Sequence, residues 1–106
     1  MGWRRTILTI ADTATESDVL DLTEKFARGS VDLMFFAPAS GQTITAHVAE
    51  DPGGTFVPLQ SGGSNITLPD SKATQLTALT CGELKLVAGA AVSGAKVWTV
   101  RGAMRA

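Results

Sequence analysis

Glycine limits what this chain can fold into. Gly29, Gly41, Gly53, Gly54, Gly62, Gly63, Gly82, Gly89 and Gly94 cut it at short intervals. Glycine loses more backbone freedom on ordering than any other residue, so it sits poorly inside a helix or strand and well in a turn. The runs between these cuts are rich in Thr, Val, Ile, Leu and Phe, residues that suit a half-buried pleated surface. Short β-prone runs separated by turn signals predict a sandwich or barrel. The prolines agree. Pro38, Pro52, Pro58 and Pro69 lie at or near the ends of runs, where a missing N–H does not break a central ladder.

Individual runs show the two-residue period of strands. Trp3 to Ile10 places Ile7 on one face and Leu8 and Ile10 on the other. Val31 to Ala37 is apolar apart from Asp32 and reads as a strand buried on both faces. Gln42 to Glu50 puts Ile44, Ala46 and Val48 on one face and Thr43, Thr45, His47 and Ala49 on the other. Asp51-Pro52-Gly53-Gly54 is a turn, after which Thr55 to Leu59 returns as the second arm of a hairpin. Asn65 to Leu68 and Gln75 to Thr80 are short runs. Glu83 to Ala88 turns Leu84, Leu86 and Ala88 inward, and Lys96 to Gly102 sets Trp98 and Val100 opposite Val97, Thr99 and Arg101. The expected core is Ile7 or Leu8, Leu33, Phe35, Ile44, Val48, Leu84, Leu86 and Trp98.

One segment carries competing signals. From Thr15 to Gly29, Thr15 suits a helix cap, Val19, Leu22 and Phe26 recur at helical spacing, and Gly29 suits a terminator. Ser17 to Leu22 also alternates as a strand, with Thr23 to Gly29 as a turn. The strand reading is preferred because the flanking chain is all β. The expectation is therefore an all-β, single antiparallel β-sandwich of jelly-roll or Ig-like type. It has about seven or eight short strands and at most one short helix, within 15–28.

The length of 106 residues allows one domain, 1–106, with one core. Nine Lys and Arg against ten Asp and Glu give a net charge of −1, which provides no excess of cations for neutralising phosphates, so no nucleic-acid partner is expected. The longest apolar stretch, Val31 to Ala39, is far below the ~20 residues of a membrane span, so no membrane partner is expected, and no secretory signal is read at the N-terminus. Cys81 is the single cysteine and His47 the single histidine. Neither can build a Cys- or His-rich metal site alone, and no metal or other cofactor is expected.

No catalytic constellation emerges. Asp18, Asp21 and Glu24 recur every three residues, but a paired-carboxylate site also needs a cleft formed by other elements, and a solvated face is the better reading. His47 lies on the wetter face of its strand without a nucleophile or an orienting group beside it. Cys81 reads as a small half-buried residue in a Thr80-Cys81-Gly82 turn. Ser61-Gly62-Gly63-Ser64 lacks the Gly-Lys-Ser/Thr ending of a phosphate loop, and Asn65-Ile66-Thr67 is a chance glycosylation triplet within a strand. No residue is assigned as catalytic, cofactor-binding or metal-binding, and the chain is read as a non-enzyme. The remaining feature is Trp3-Arg4-Arg5, since Trp and Arg are favoured at interface hot spots. These three residues are the candidate partner interface, and 1–5 a candidate N-terminal anchoring segment. Trp3 itself suits either core or contact, while Trp98 is expected in the core.

Taken together, three stretches carry a resemblance to a known class: 15–22 (TESDVLDL), 31–39 (VDLMFFAPA) and 47–59 (HVAEDPGGTFVPL), with 82–89 (GELKLVAG) fitting alongside. The chain resembles the small all-β structural proteins of tailed bacteriophages, in particular capsid decoration (cement) proteins. The resemblance implies a non-enzymatic virion component, made in the host cytoplasm and located on the capsid surface. It further implies the major capsid protein as partner, a homo-oligomer, with a trimer favoured, and stabilisation of the head. The alternative is a tail-associated or other ligand- or carbohydrate-binding β-module, for which an absence of Tyr and only two Trp provide few stacking platforms.

Overall fold

The computed structural model describes residues 4–22 and 30–104. Ten strands form in this order: β1 Arg4–Ile10, β2 Leu20–Asp21, β3 Val31–Phe36, β4 Ile44–Ala49, β5 Val57–Pro58, β6 Gln60–Ser61, β7 Ser64–Asn65, β8 Ala73–Leu79, β9 Glu83–Ala88 and β10 Lys96–Met104. The fold is all-β with antiparallel pairing, as expected. The strand number exceeds the expected seven or eight because β2, β5, β6 and β7 are each only two residues long, too short to show a period. Over Thr15–Asp21 the chain forms β-bridges at Glu16 and Ser17 and then β2, which favours the strand reading over the helix. Residues 23–29, the remainder of that segment, lie outside the described residues.

Two four-stranded sheets result, ordered β1-β10-β3-β8 and β2-β9-β4-β5, with β6-β7 as a separate hairpin. Their inward side chains join in one apolar cluster that includes Leu8, Leu33, Phe35, Ile44, Leu84, Leu86 and Trp98. Leu8, not Ile7, is the inward residue of β1, and Val48 packs against the cluster half-buried. Ile10, Leu20, Leu68, Leu76, Val92 and Val100 are buried as well. The Trp98 indole N–H is buried without a hydrogen-bond partner among the described residues.

One expectation is corrected. The sequence predicts burial on both faces for the run from Val31 to Ala37, but β3 alternates: Val31, Leu33 and Phe35 are buried, Asp32 and Met34 half-buried, and Phe36 exposed. Although β3 lies between β10 and β8, only one face of its sheet meets the other sheet.

The turns follow their chemistry. Gly54 N–H donates to the Asp51 carbonyl at 2.9 Å, and Gly53 has φ +80°, which with Pro52 ahead of it makes a type II turn. Gly62 and Gly63 have φ of +62° and +85°, the two left-handed positions of a type I′ hairpin turn. The Ser61–Ser64 stretch is thus a hairpin tip.

Candidate partner-binding surface

The outer face of the β1-β10-β3-β8 sheet is apolar and flanked by arginines. Register places Ile7 beside Thr99, Thr99 beside Phe36, and Phe36 beside Ala73, one row across four strands. The adjacent row is Arg5, Arg101, Met34 and Gln75, and on the other side Thr9 pairs with Val97. Ile7 is 47% exposed, and Phe36 and Val97 are each 44% exposed. Single exposed apolar residues are ordinary, but three neighbours on one flat face form a patch of the kind found at contact sites. Arg5, Phe36, Thr99 and Arg101 together line a shallow depression there.

Alternation also separates the residues of the expected N-terminal interface. Arg4 and Arg5 both lie within β1 and point to opposite faces of it. Arg5 joins Arg101 on the outer face. Arg4 stands at the inner end of the stack, where it lines a small pocket with Leu20, Leu33 and Val100. Trp3 lies outside the described residues.

The outer face of the second sheet carries a charged cluster around His47. His47 is paired across the ladder with Lys85. Lys85 Nζ donates to Glu16 Oε1 at 2.8 Å and sits 4.5 Å from the Phe56 ring centroid. Partial burial, and then the neighbouring Lys85 charge, hold the His47 pKa below its usual value, with Glu16 opposing. The lowered value favours the neutral ring near pH 7.

The other sequence candidates are separated or engaged structurally. Asp18 Oδ1 accepts the Thr9 N–H at 2.8 Å, Asp21 lies in β2, and Glu24 is outside the described residues. Burial pushes the Cys81 thiol pKa up, which leaves it a poor nucleophile. Gly82 after it is a close-approach position: a Cβ there would come within 2.8 Å of the Glu50 carbonyl. No group of three or more His, Cys, Asp or Glu suited to a metal ion occurs among the described residues.

Two features were missed from sequence. Asp70 holds the β3–β4 turn from a distant position, accepting Ser40 Oγ–H at 2.9 Å and Gly41 N–H at 2.9 Å. These hydrogen bonds depress its pKa. The second is an open groove of about 420 Å³ between β8 and the segment Leu59–Ser61 with Ile66. Both join residues far apart in the chain, which no local motif announces.

No family model and no curated protein matches the chain. Among solved structures it is similar to the SPBc2 prophage-derived protein YomS, with a TM-score of 0.61 and 13% identity over 97% of this chain and 96% of that one. A weaker likeness, TM-score 0.40 and 12% identity, is to the Drosophila NLP core over 97% of both chains. At such identity the YomS likeness establishes a common fold along nearly the whole of both chains.

Proposed function

We propose that the chain is a non-enzymatic structural protein of a tailed-bacteriophage virion, a decoration protein that binds the major capsid protein on the outer head and stabilises it. The observation that carries this reading is the exposed apolar patch of Ile7, Phe36 and Val97 around Thr99, beside Arg5 and Arg101. An open, shallow surface of this kind suits a protein partner better than a small molecule, which is usually held in a more enclosed site. The prophage origin of YomS supports a phage setting. On this reading the partner face is apolar with an acidic residue opposite Arg5, which suits its fixed positive charge and forked donors. Assembly as a trimer multiplies a modest contact, since further copies then bind at high effective concentration.

The experiment is co-sedimentation of the chain with heads and with tails from particles of its source, paired with gold labelling in the electron microscope. The expected outcome is label on the head surface, and at least tenfold weaker retention for Phe36→Asp and Arg5→Glu with unchanged thermal stability. Label confined to tails would replace the decoration role with a tail-associated one. Chain recovered only outside particles would end the virion reading. Removing residues 1–3, which leaves β1 intact, tests Trp3 as an anchor separately from Arg5.

A further inference from the structure

The two long sides of the stacked sheets are finished differently. On the side of β1 and β9 the chain crosses between sheets and closes the gap with main-chain bonds. Ser17 N–H donates to the Leu86 carbonyl at 2.9 Å, Asp18 N–H to the Thr9 carbonyl at 3.4 Å, and Ala88 N–H to the Thr15 carbonyl at 2.7 Å. Ser17 Oγ, itself buried, accepts the Leu86 N–H at 2.9 Å. The Asp18 carboxylate blocks the edge of β1 further by taking the Thr9 N–H. This is how native sheets protect an edge.

The opposite side has no such closure among the described residues. There β8 ends its sheet, and the groove lies between it and Leu59–Ser61. The Ala37 N–H bond to the Lys72 carbonyl, 3.0 Å, sets the phase of the β3–β8 ladder. Thr74 and Leu76, opposite Phe35 and Leu33, direct their N–H and C=O groups to β3. Those of Ala73, Gln75 and Thr77 therefore point out of the sheet towards the open side. The β3–β8 register shifts between Leu33 and Val31, and in this bulge Ala78, at φ +56°, gives its N–H to Asp32 Oδ1 of β3 at 2.8 Å. β8 itself, Ala-Thr-Gln-Leu-Thr-Ala-Leu, contains neither charge nor proline.

We infer that the open edge of β8 is a strand-addition site that takes an extended, uncharged segment of a partner protein into the groove beside Leu59–Ser61. Main-chain bonds to Ala73, Gln75 and Thr77 supply affinity without a sequence requirement. Charge matching selects the occupant. None of the residues lining the groove is charged, so a Lys or Asp of the incoming strand facing its walls would be desolvated without a counter-ion. A second copy fits less well, because its own β8 carries the same bulge at Ala78 and two such edges diverge after a few residues. The site uses the edge main chain of the sheet whose outer face carries Ile7, Phe36 and Val97, with Ala73 beside Phe36, and the inference stands whether or not the protein is a virion component.

The test uses the isolated chain and a synthetic seven-residue peptide of alternating threonine and valine. The comparison probes are the same peptide N-methylated at alternate amides and one with lysine at alternate positions. At millimolar peptide, the expected result is hydrogen-exchange protection of the Gln75 and Thr77 amides, with NMR shifts at Leu59–Ser61. The N-methylated and lysine peptides should give neither. Thr77→Lys, at an exposed position, should cut binding at least tenfold while leaving the remaining spectrum in place. Gln75→Pro should do the same by removing an outward N–H, and Ile7→Asp, on the opposite edge strand of the sheet, should have no effect. Absence of protection, or equal binding of the N-methylated peptide, would overturn the inference. So would a dimer of the peptide-free chain that Thr77→Lys dissolves, since the edge would then belong to a second copy.

Discussion

Phe35 is fully buried between the sheets while Phe36, the next residue, is 44% exposed on the outer face. The same side chain thus occupies two environments one position apart, and truncation should report the difference. Phe35→Ala removes a ring from a closed core and is expected to cost ~3–5 kcal/mol. Phe36→Ala is expected to cost about 1 kcal/mol or less, near the level of a surface change. Urea unfolding of the two variants checks this, and equal losses would mean that both rings are packed. The apolar run 31–37 announced a strand but concealed its outer face, because Met34 and Phe36 are as apolar as the residues that face the core. Alternation was legible where polar residues mark the second face. In β9 and β10 it placed Leu84, Leu86 and Trp98 in the core correctly. Arg5 stood out in the sequence, by its type, as a candidate contact residue. Its companions Ile7, Phe36 and Val97 did not, since only the pairing of three strands brings them together.

Among the elements, hairpins with strong turn chemistry were readable and clasps between distant segments were not. Asp51-Pro52-Gly53-Gly54 joins β4 to the segment carrying β5, and Val48 pairs with Val57 as the spacing implied. The turn after β3 depends instead on Asp70, which lies 30 positions from Ser40. Its folded pKa is depressed, first by the Gly41 N–H and then by Ser40. The unfolded chain therefore binds this proton more readily than the folded one. The contribution of Asp70 to stability is present above the ordinary Asp value of about 3.9 and is lost as pH falls from there through the lower folded value. Asp70→Asn removes that titration. Its melting temperature should lie below that of the parent at pH 6, and the gap should narrow between about pH 4.5 and pH 2.5. A gap independent of pH over that range would show that the carboxylate charge plays no part in holding the turn.

Across the whole molecule the chain passes repeatedly from one sheet to the other. β1, β3, β8 and β10 belong to one, β2, β4, β5 and β9 to the other. Most contacting pairs are therefore non-local, and this is why architecture was more legible by class than by strand order. The likeness to YomS at 13% identity fits the same view, since many sequences can satisfy one pattern of inward apolar residues. Non-local pairing also bears on folding, because loop-closure entropy must be met before the contacts form. Refolding in milliseconds to seconds is expected, as for other all-β domains. Ladder closure differs between the sheets: Leu8 pairs with Trp98, whereas Ala46 pairs with Leu86 at less than half that separation. A doubling of loop length adds only about 0.6 kcal/mol, so the bias towards early β4–β9 pairing is modest but directional. Leu86→Ala should therefore slow folding by a larger share of its stability loss than Leu8→Ala, which should act more by speeding unfolding. Stopped-flow folding and unfolding rates of the two variants decide the order, and a larger folding-rate effect for Leu8→Ala would place closure of β1 on β10 ahead of the β4–β9 ladder.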